Sequence, residues 1–330
     1  PEEAAMNAAT GGHVGLIGGG VIGGGWAARF SLHGLDVRLF DPADKAGALL
    51  AKQMDNARRA YERLGWLDRE PGTVEIVSRP EDAAKQAIFI QESIPERLEL
   101  KQRVLAGVSK LAPAECVIAS STSGLKPSDL QRDMQHPERL VIGHPFVPPY
   151  LMPLVEVCGG HATSDDAKER AMIFYRSVAM RPLHVRKEID GFIADRMMEA
   201  MWREALWLVH DDIATAEEID DAIRFGPGLR WAFFGPFLTY RVGGGDAGMR
   251  HFMEQFGPSL KWPWTKLMDT PELDDALLDK ICDQSDAQAG GLPVSHFEQM
   301  RDDCLIEIMK GLAAHDFGAG EVLNRRAGEP

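Results

Sequence analysis

Short apolar runs punctuate the first half of the chain: His13 to Ile17, Val37 to Phe40, Thr73 to Val77, Ala87 to Ile90, Cys116 to Ala119, Arg139 to His144, Leu154 to Val157 and Arg181 to Val185. Each has strand length and is bounded by turn-forming or charged residues, so the pattern predicts eight β-strands. Between most of them lie stretches of helical composition, among them Ala43 to Leu64, closed by Gly65, a helix ending near Lys110, and Asp165 to Ser177. Strands alternating with helices predict an α/β architecture with a mostly parallel sheet. Beyond Glu188 the pattern changes. Helical spacing runs over Gly191 to His210, Glu217 to Arg224, Ala247 to Phe256, Leu273 to Ile281 and Phe297 to Leu312, with no convincing strand among them. Two domains are therefore expected, an α/β domain at 1–188 and an all-helical one at 189–330.

The first strand runs into Gly18-Gly19-Gly20-Val21-Ile22-Gly23, a G-x-G-x-x-G spacing followed by a helix pattern and a second strand that ends in Asp41. That order is expected of a dinucleotide-binding βαβ unit, which makes the first domain Rossmann-like. Gly18 permits the sharp turn, Gly20 a close backbone approach to pyrophosphate, and Gly23 close packing of helix on strand. Gly18, Gly20, Val21, Ile22 and Gly23 are thus the candidate phosphate cradle, with amides at the helix start to take the charge. Asp41 would accept from both adenosine ribose hydroxyls and repel a 2′-phosphate, which predicts NAD over NADP.

Composition narrows the class. With 330 residues and 45% apolar content the chain can build two real cores, which excludes disorder as the main theme. A formal charge of −14 offers no basic surface for nucleic acid or an anionic membrane. The four cysteines are widely spaced and form no C-x-x-C pair, so neither disulfides nor a metal site is expected. Pro1 to Gly12 has no positive region followed by an apolar one, and no later stretch has the length of an uncharged span, so a cytoplasmic location is expected.

Candidate chemistry gathers at strand exits. Glu92 lies where the nicotinamide-side ribose usually passes. Glu96, four residues on, reads equally as a first-turn acid favoured by the helix dipole. Ser120-Ser121-Thr122-Ser123 can be a turn with self-satisfied hydroxyls, yet its place at a strand end favours at least one that faces a substrate. His144 ends one strand, and Glu156 lies twelve residues on between Val155 and Val157, across a proline-rich bend. On neighbouring strands the carboxylate would orient the imidazole as a general base near neutral pH; a structural histidine and an edge-strand acid are the bland alternatives. Phe225, Trp231, Phe233, Phe234, Phe237 and Tyr240 crowd one segment of a chain that is only 8% aromatic. Phe233 and Phe237, four apart, read as helix core.

Taken together these motifs resemble the 3-hydroxyacyl-CoA dehydrogenase family over almost the whole chain. The resemblance implies that Ser123, in Ala119-Ser120-Ser121-Thr122-Ser123, meets the reacting hydroxyl, that His144 of Gly143-His144-Pro145-Phe146 is the catalytic histidine, and that Glu156 is its partner. The family's Gly-Phe-x-x-Asn-Arg motif falls on Gly191-Phe192-Ile193-Ala194-Asp195-Arg196. Two positions depart from the family pattern, Val147 and Asp195, each standing where asparagine is common. With no Lys/Arg-rich stretch for a CoA phosphate, these departures point away from acyl-CoA.

Gln91 to Arg97, Ser120 to Leu125 and, above all, Arg224 to Tyr240 carry a closer resemblance to the bacterial L-carnitine dehydrogenases within that family. This implies NAD-dependent oxidation of the 3-hydroxyl of a small quaternary-ammonium hydroxy acid, L-carnitine, and a homodimer. A quaternary ammonium is bound best by aromatic faces and nearby negative charge, which makes Trp231, Phe234 and Tyr240 cage candidates and Asp195 a source of attraction. Arg196, Lys126 and Arg230 are the candidates for the substrate carboxylate. The λ-crystallin and L-gulonate 3-dehydrogenase branch shares the Arg-x-Ala-x-x-Gly-Pro shape, so a gulonate-type substrate and a catalytically silent NAD-binding structural protein stand as alternatives.

Overall fold

Along β1 (His13–Ile17), Val14 and Leu16 point to one face of the sheet and Ile17 to the other. The same period of two sorts β4 (Ala87–Glu92) into Phe89 against Ile90, and β5 (Val117–Ser120) into Val117 and Ala119 against Ile118. Strands apolar on both faces must be covered on both, which is why this sheet is sandwiched between helices. One face is covered by α1 (Val21–Leu32), α2 (Ala46–Leu64) and α6 (Asp165–Ser177), through Trp26, Phe30, Leu50 and Phe174. The other takes α3 (Pro80–Ala84), α4 (Leu98–Leu111) and α5 (Pro127–Leu130), through Ala83, Leu105 and Leu130.

The computed structural model describes residues 12–232, 234–243, 252, 254, 274–277, 279–280, 283, 290 and 292–327. The chain divides into two compact units, Pro1–Ile193 with Arg326–Pro330, and Ala194–Arg325. The first unit adds β2 (Val37–Phe40), β3 (Val74–Val77), β6 (Leu140–Pro145), β7 (Leu154–Gly159) and β8 (Arg181–Val185). Its eight-stranded sheet has the order β3-β2-β1-β4-β5-β6-β7-β8. All pairs are parallel except β6 with β7, as expected of a mostly parallel sheet. The order turns back between β1 and β4, and a doubly wound sheet opens its ligand crevice there, outside the carboxyl ends of the strands. Gly18 lies at that point: a Cβ on it would come within 2.6 Å of Ser93 O, beyond β4, and its φ of +103° belongs to glycine. At the end of α2, Gly65 caps the helix in the left-handed conformation with φ +70°, where the sequence predicts closure.

His13 opens β1 nearly buried, with Nε2 donating to Ala83 O at 3.0 Å. Burial lowers its pKa below the ordinary 6.5, outweighing the opposing effect of that carbonyl. The folded state therefore resists a proton that the unfolded chain accepts, so stability is fully present above pH 6.5 and falls as pH drops toward the lower folded value. His13→Gln, which can still donate to Ala83, is expected to flatten that acid limb in thermal melts taken across the pH range; an unchanged limb would assign it to other groups.

The second unit is helical: α7 (Ala194–His210), α8 (Ala216–Arg224), α9 (Pro227–Trp231), α10 (Gly235–Gly243), α11 (Val294–Ala313) and α12 (Gly320–Ala327). Thr215 and Glu218 form a reciprocal capping box that starts α8. The expected helix at 247–256 lies outside the described residues except at Phe252 and Glu254; of the one expected at 273–281, residues 275–277 and 279–280 are described and helical. The helix expected from Gly191 starts instead at Ala194. Gly191 and Phe192 have φ of +70° and +47°, left-handed values that no right-handed helix accepts. Phe237, expected in the helix core, is 80% exposed, and Phe233 lies outside the described residues. Among the described residues no helix is long and apolar enough to cross a membrane.

Candidate active site

The glycine loop is shaped for a dinucleotide. A Cβ at Gly23 would lie 1.8 Å from Gly18 O, so helix and loop touch there only because no side chain intervenes. At Gly20 an added Cβ would meet no protein atom within 4 Å: the space that glycine keeps clear lies outside the protein, as a phosphate cradle requires. The first turn of α1 carries no acid and its N-cap no side-chain bond, which leaves its amides to an anion. Asp41, just past β2, accepts from the Gly19 amide at 2.6 Å through Oδ2 and from the Ala43 amide at 2.7 Å through Oδ1. It thereby fixes an acid beside the loop, where the adenosine ribose of NAD would lie.

Two carboxylates beyond β4 hold the hydroxyl run beyond β5. Glu92, 1% exposed, accepts through Oε1 from Lys101 Nζ at 2.7 Å and the Ile94 amide at 2.6 Å, and through Oε2 from the Ser120 hydroxyl at 2.5 Å. The expected contact with a nicotinamide ribose is not what these bonds display; Glu92 faces inward and anchors the loop. Glu96 does more than favour a helix dipole. Its Oε1 accepts from the Thr122 hydroxyl, the Ser123 amide at 3.1 Å and the Gly124 amide at 3.2 Å, while Oε2 lies 3.4 Å from Lys101 Nζ. Ser121 Oγ accepts from Trp26 Nε1 at 3.1 Å and Gln91 Nε2 at 2.8 Å, and bonds the Ser93 hydroxyl at 2.8 Å. Three of the four hydroxyls are thus engaged within the protein. Among the described residues, the exposed Ser123 hydroxyl alone of the four makes no hydrogen bond within the protein.

His144 and Glu156 face each other across the one antiparallel pair of the sheet. Their side chains share the face opposite Val155 and Val157, and His144 Nδ1 lies 2.9 Å from Glu156 Oε2. Both are buried, at 4% and 0% exposure, so Glu156 is an interior acid rather than an edge one. The carboxylate selects the tautomer in which Nδ1–H donates to it and Nε2 carries the lone pair. Sequence reasoning missed what surrounds the pair. The ring of Phe192 lies 5.7 Å and that of Phe146 4.9 Å from the imidazole, and the Ile193 amide donates to Glu156 Oε1 at 3.0 Å. The left-handed turn at Gly191 and Phe192 therefore has a purpose: it seats a buried ring on the histidine and an amide on its partner. Behind His144, the Gln91 amide donates to Gly143 O at 3.1 Å and accepts from the Tyr175 hydroxyl at 2.6 Å. Burial pushes the Tyr175 phenol well above its usual range and keeps it a donor.

Lys126 pairs with Asp190 at 3.1 Å, which raises its pKa. Asp195 and Arg196 stand in the first turn of α7, within the second unit, as do Arg230 and Trp231 on α9. Phe234 meets Phe317 edge-on at 6.3 Å, and Tyr240 on α10 stacks on Phe252 at 4.7 Å. An open cavity of about 500 Å³ in that unit is lined by Arg224, Gly228, Leu229, Ala232, Ile308, Gly311 and Leu312, and by none of the three cage candidates.

The chain is similar to known proteins along its length. Residues 13–189 match the family model described as 3-hydroxyacyl-CoA dehydrogenase, NAD binding domain, and residues 191–281 match the C-terminal domain of the same family. A protein of Mesorhizobium japonicum named L-carnitine dehydrogenase is 54% identical over 92% of this chain and 84% of its own length. A protein of Agrobacterium fabrum named L-carnitine dehydrogenase/betainyl-CoA thioesterase is 52% identical over 94% of this chain, which spans 63% of that longer relative. Among solved structures, a 5-formyl-3-hydroxy-2-methylpyridine 4-carboxylic acid 5-dehydrogenase shares the fold at a TM-score of 0.75 and 24% identity, covering 90% of this chain and 97% of its own.

Proposed function

This chain belongs to the 3-hydroxyacyl-CoA dehydrogenase family, and from that membership we propose that it oxidises the 3-hydroxyl of L-carnitine to 3-dehydrocarnitine, with His144 as the general base. It is an NAD-dependent dehydrogenase. The observation that carries the mechanism is the Ser123 hydroxyl, unclaimed beside a strand pair that carries a buried His144–Glu156 couple. Ser123 holds the substrate oxygen while His144 Nε2 takes its proton, and Glu156 stabilises the imidazolium that forms. Bound NAD supplies the acceptor for the hydride leaving C3. Gly18, Gly20, Val21, Ile22, Gly23 and Asp41 would hold that cofactor.

The substrate reading rests on the relatives' names and on the aromatic segment from Phe225 to Tyr240. Trp231, Phe234 and Tyr240 are proposed to meet the quaternary ammonium with Asp195, and Arg196 the carboxylate. Residues 1–188 would serve the cofactor, in the cytoplasm, and 189–330 the substrate and a second copy. Exposed apolar side chains along α7, Met197, Met198, Met201 and Trp202, support that homodimer, and a monomer's mass by sedimentation would remove it. NADH formation measured with L-carnitine, L-gulonate and 3-hydroxybutyrate tests the substrate. Strong preference for L-carnitine is expected. Preference for either uncharged-headed acid would overturn the cage, and tight NADH binding with no oxidation of any of them would favour a silent structural protein.

A further inference from the structure

Arg29 is fully buried on α1, within Trp26-Ala27-Ala28-Arg29-Phe30, where its neighbours are core residues. Its guanidinium gathers main-chain carbonyls from two separate turns. Nε donates to Pro149 O at 2.6 Å and Nη2 to Met152 O at 3.2 Å, both in the bend between His144 and Glu156. Nη1 donates to Val178 O at 2.8 Å and Ala179 O at 3.1 Å, in the turn that leads from α6 into β8, the partner of β7. A planar fork of fixed donors suits carbonyls that converge from different directions, and the three rotating donors of a lysine suit them less. Burying such a cation is costly unless its donors are engaged, so the contact is not incidental packing.

The same helix reaches the site at two further points. A Cβ on Gly25 would come within 2.7 Å of Pro149 Cδ, so glycine is what lets the bend lie against α1. Trp26 donates to Ser121 in the hydroxyl run. One helix thus begins in the cofactor loop and touches both the bend that spans the His144–Glu156 couple and the loop that presents Ser123.

We propose that Arg29 is a positioning residue for the dehydrogenation, clamping the bend so that His144 and Glu156 stand at one register relative to the helix whose amino end holds the cofactor. This rests on the reading of His144 as the base. Arg29 acts through Pro149 and Met152, and displacing a base by about an ångström can cost about 100-fold in rate without touching the cofactor loop.

Arg29→Met, Arg29→Lys and Gly25→Ala test it, each compared with the unaltered protein and with His144→Ala on L-carnitine and on L-carnitine deuterated at C3. Arg29→Met is expected to lower kcat about 10- to 100-fold, to raise the deuterium isotope effect on kcat, and to leave the NADH Kd and stoichiometry unchanged. Arg29→Lys should recover part of that loss, and Gly25→Ala, whose Cβ would push Pro149 away from the same helix, should reproduce it. If Arg29→Met does not fold, the other two decide. Unchanged kcat and isotope effect in the folded variants would overturn the proposal. So would a loss of activity matched by an equal loss of NADH sites at constant isotope effect, which marks a general folding defect. Full turnover in His144→Ala would overturn the base reading itself, and Arg29 would then have no base to position.

Discussion

Replacing His144 with alanine is expected to lower turnover of L-carnitine by about 10²- to 10⁴-fold while NADH binding stays near that of the unaltered protein. The two effects separate because the residues that would hold the cofactor lie beyond β1 and β2, whereas His144 stands on β6 and is bound to Glu156 on β7. On the proposed mechanism Ser123 would still bind the substrate oxygen without the imidazole, but no group in the couple would take the proton as the hydride leaves. The substitution also opens space beside Phe146 and Phe192, which costs stability, so rates should be referred to active sites titrated with NADH. Stopped-flow NADH formation in a single turnover reads the chemical step. Turnover comparable to the unaltered protein would remove the imidazole from the mechanism.

The elements that could be read from the chain are those whose cause is local. A central strand buried on both faces is a short apolar run, the largely exposed edge strands β3 and β8 were visible as short runs between turn signals, and Gly65 announced the end of α2 because glycine readily takes the left-handed φ that closes a helix. The couple of His144 and Glu156 was visible for a related reason: a proline-rich bend of that length joins neighbouring strands. Contacts between distant segments were not visible. Nothing near Gly191 signals that the helix waits until Ala194, because the turn is selected by Phe192 packing on His144 and by the Ile193 amide reaching an acid thirty-seven residues earlier. Glu92 was identifiable as a strand-end acid, but the direction it faces depends on Lys101, nine residues on in α4. The basic side chain of Arg29 among core residues was a signal available in the sequence, since a charge in such a place has to be answered by something buried. For Phe237 the i,i+4 rule misled: the spacing describes a shared helix face, and says nothing about whether that face is covered.

Lys101→Met should destabilise the first unit by about 3–5 kcal/mol, the usual cost of removing one member of a buried ion pair. Lys101 Nζ and Glu92 are each 1% exposed and 2.7 Å apart, and the amine also donates to Ile94 O at 3.0 Å. Methionine fills most of the volume left by the lysine stem, so the loss would come from a carboxylate stranded in the interior and not from a cavity. The Ser120 hydroxyl and the Ile94 amide would remain as its donors, which moderates the penalty without cancelling it. Adding Glu92→Gln to Lys101→Met is therefore expected to restore part of the stability, because it removes the charge while an amide oxygen can still accept from Ile94. Urea unfolding of the single and double variants, followed by tryptophan fluorescence to which the buried Trp26 contributes, measures both changes. A double variant no more stable than the single one would mean that the lysine acts through packing. Because Lys101 also lies beside Glu96, whose other oxygen holds Thr122 and the Ser123 amide, the single variant should lose activity even under conditions where it is fully folded. That coupling of a core charge to the loop that presents Ser123 explains how an ion pair can be retained in an interior where two apolar side chains would pack as well.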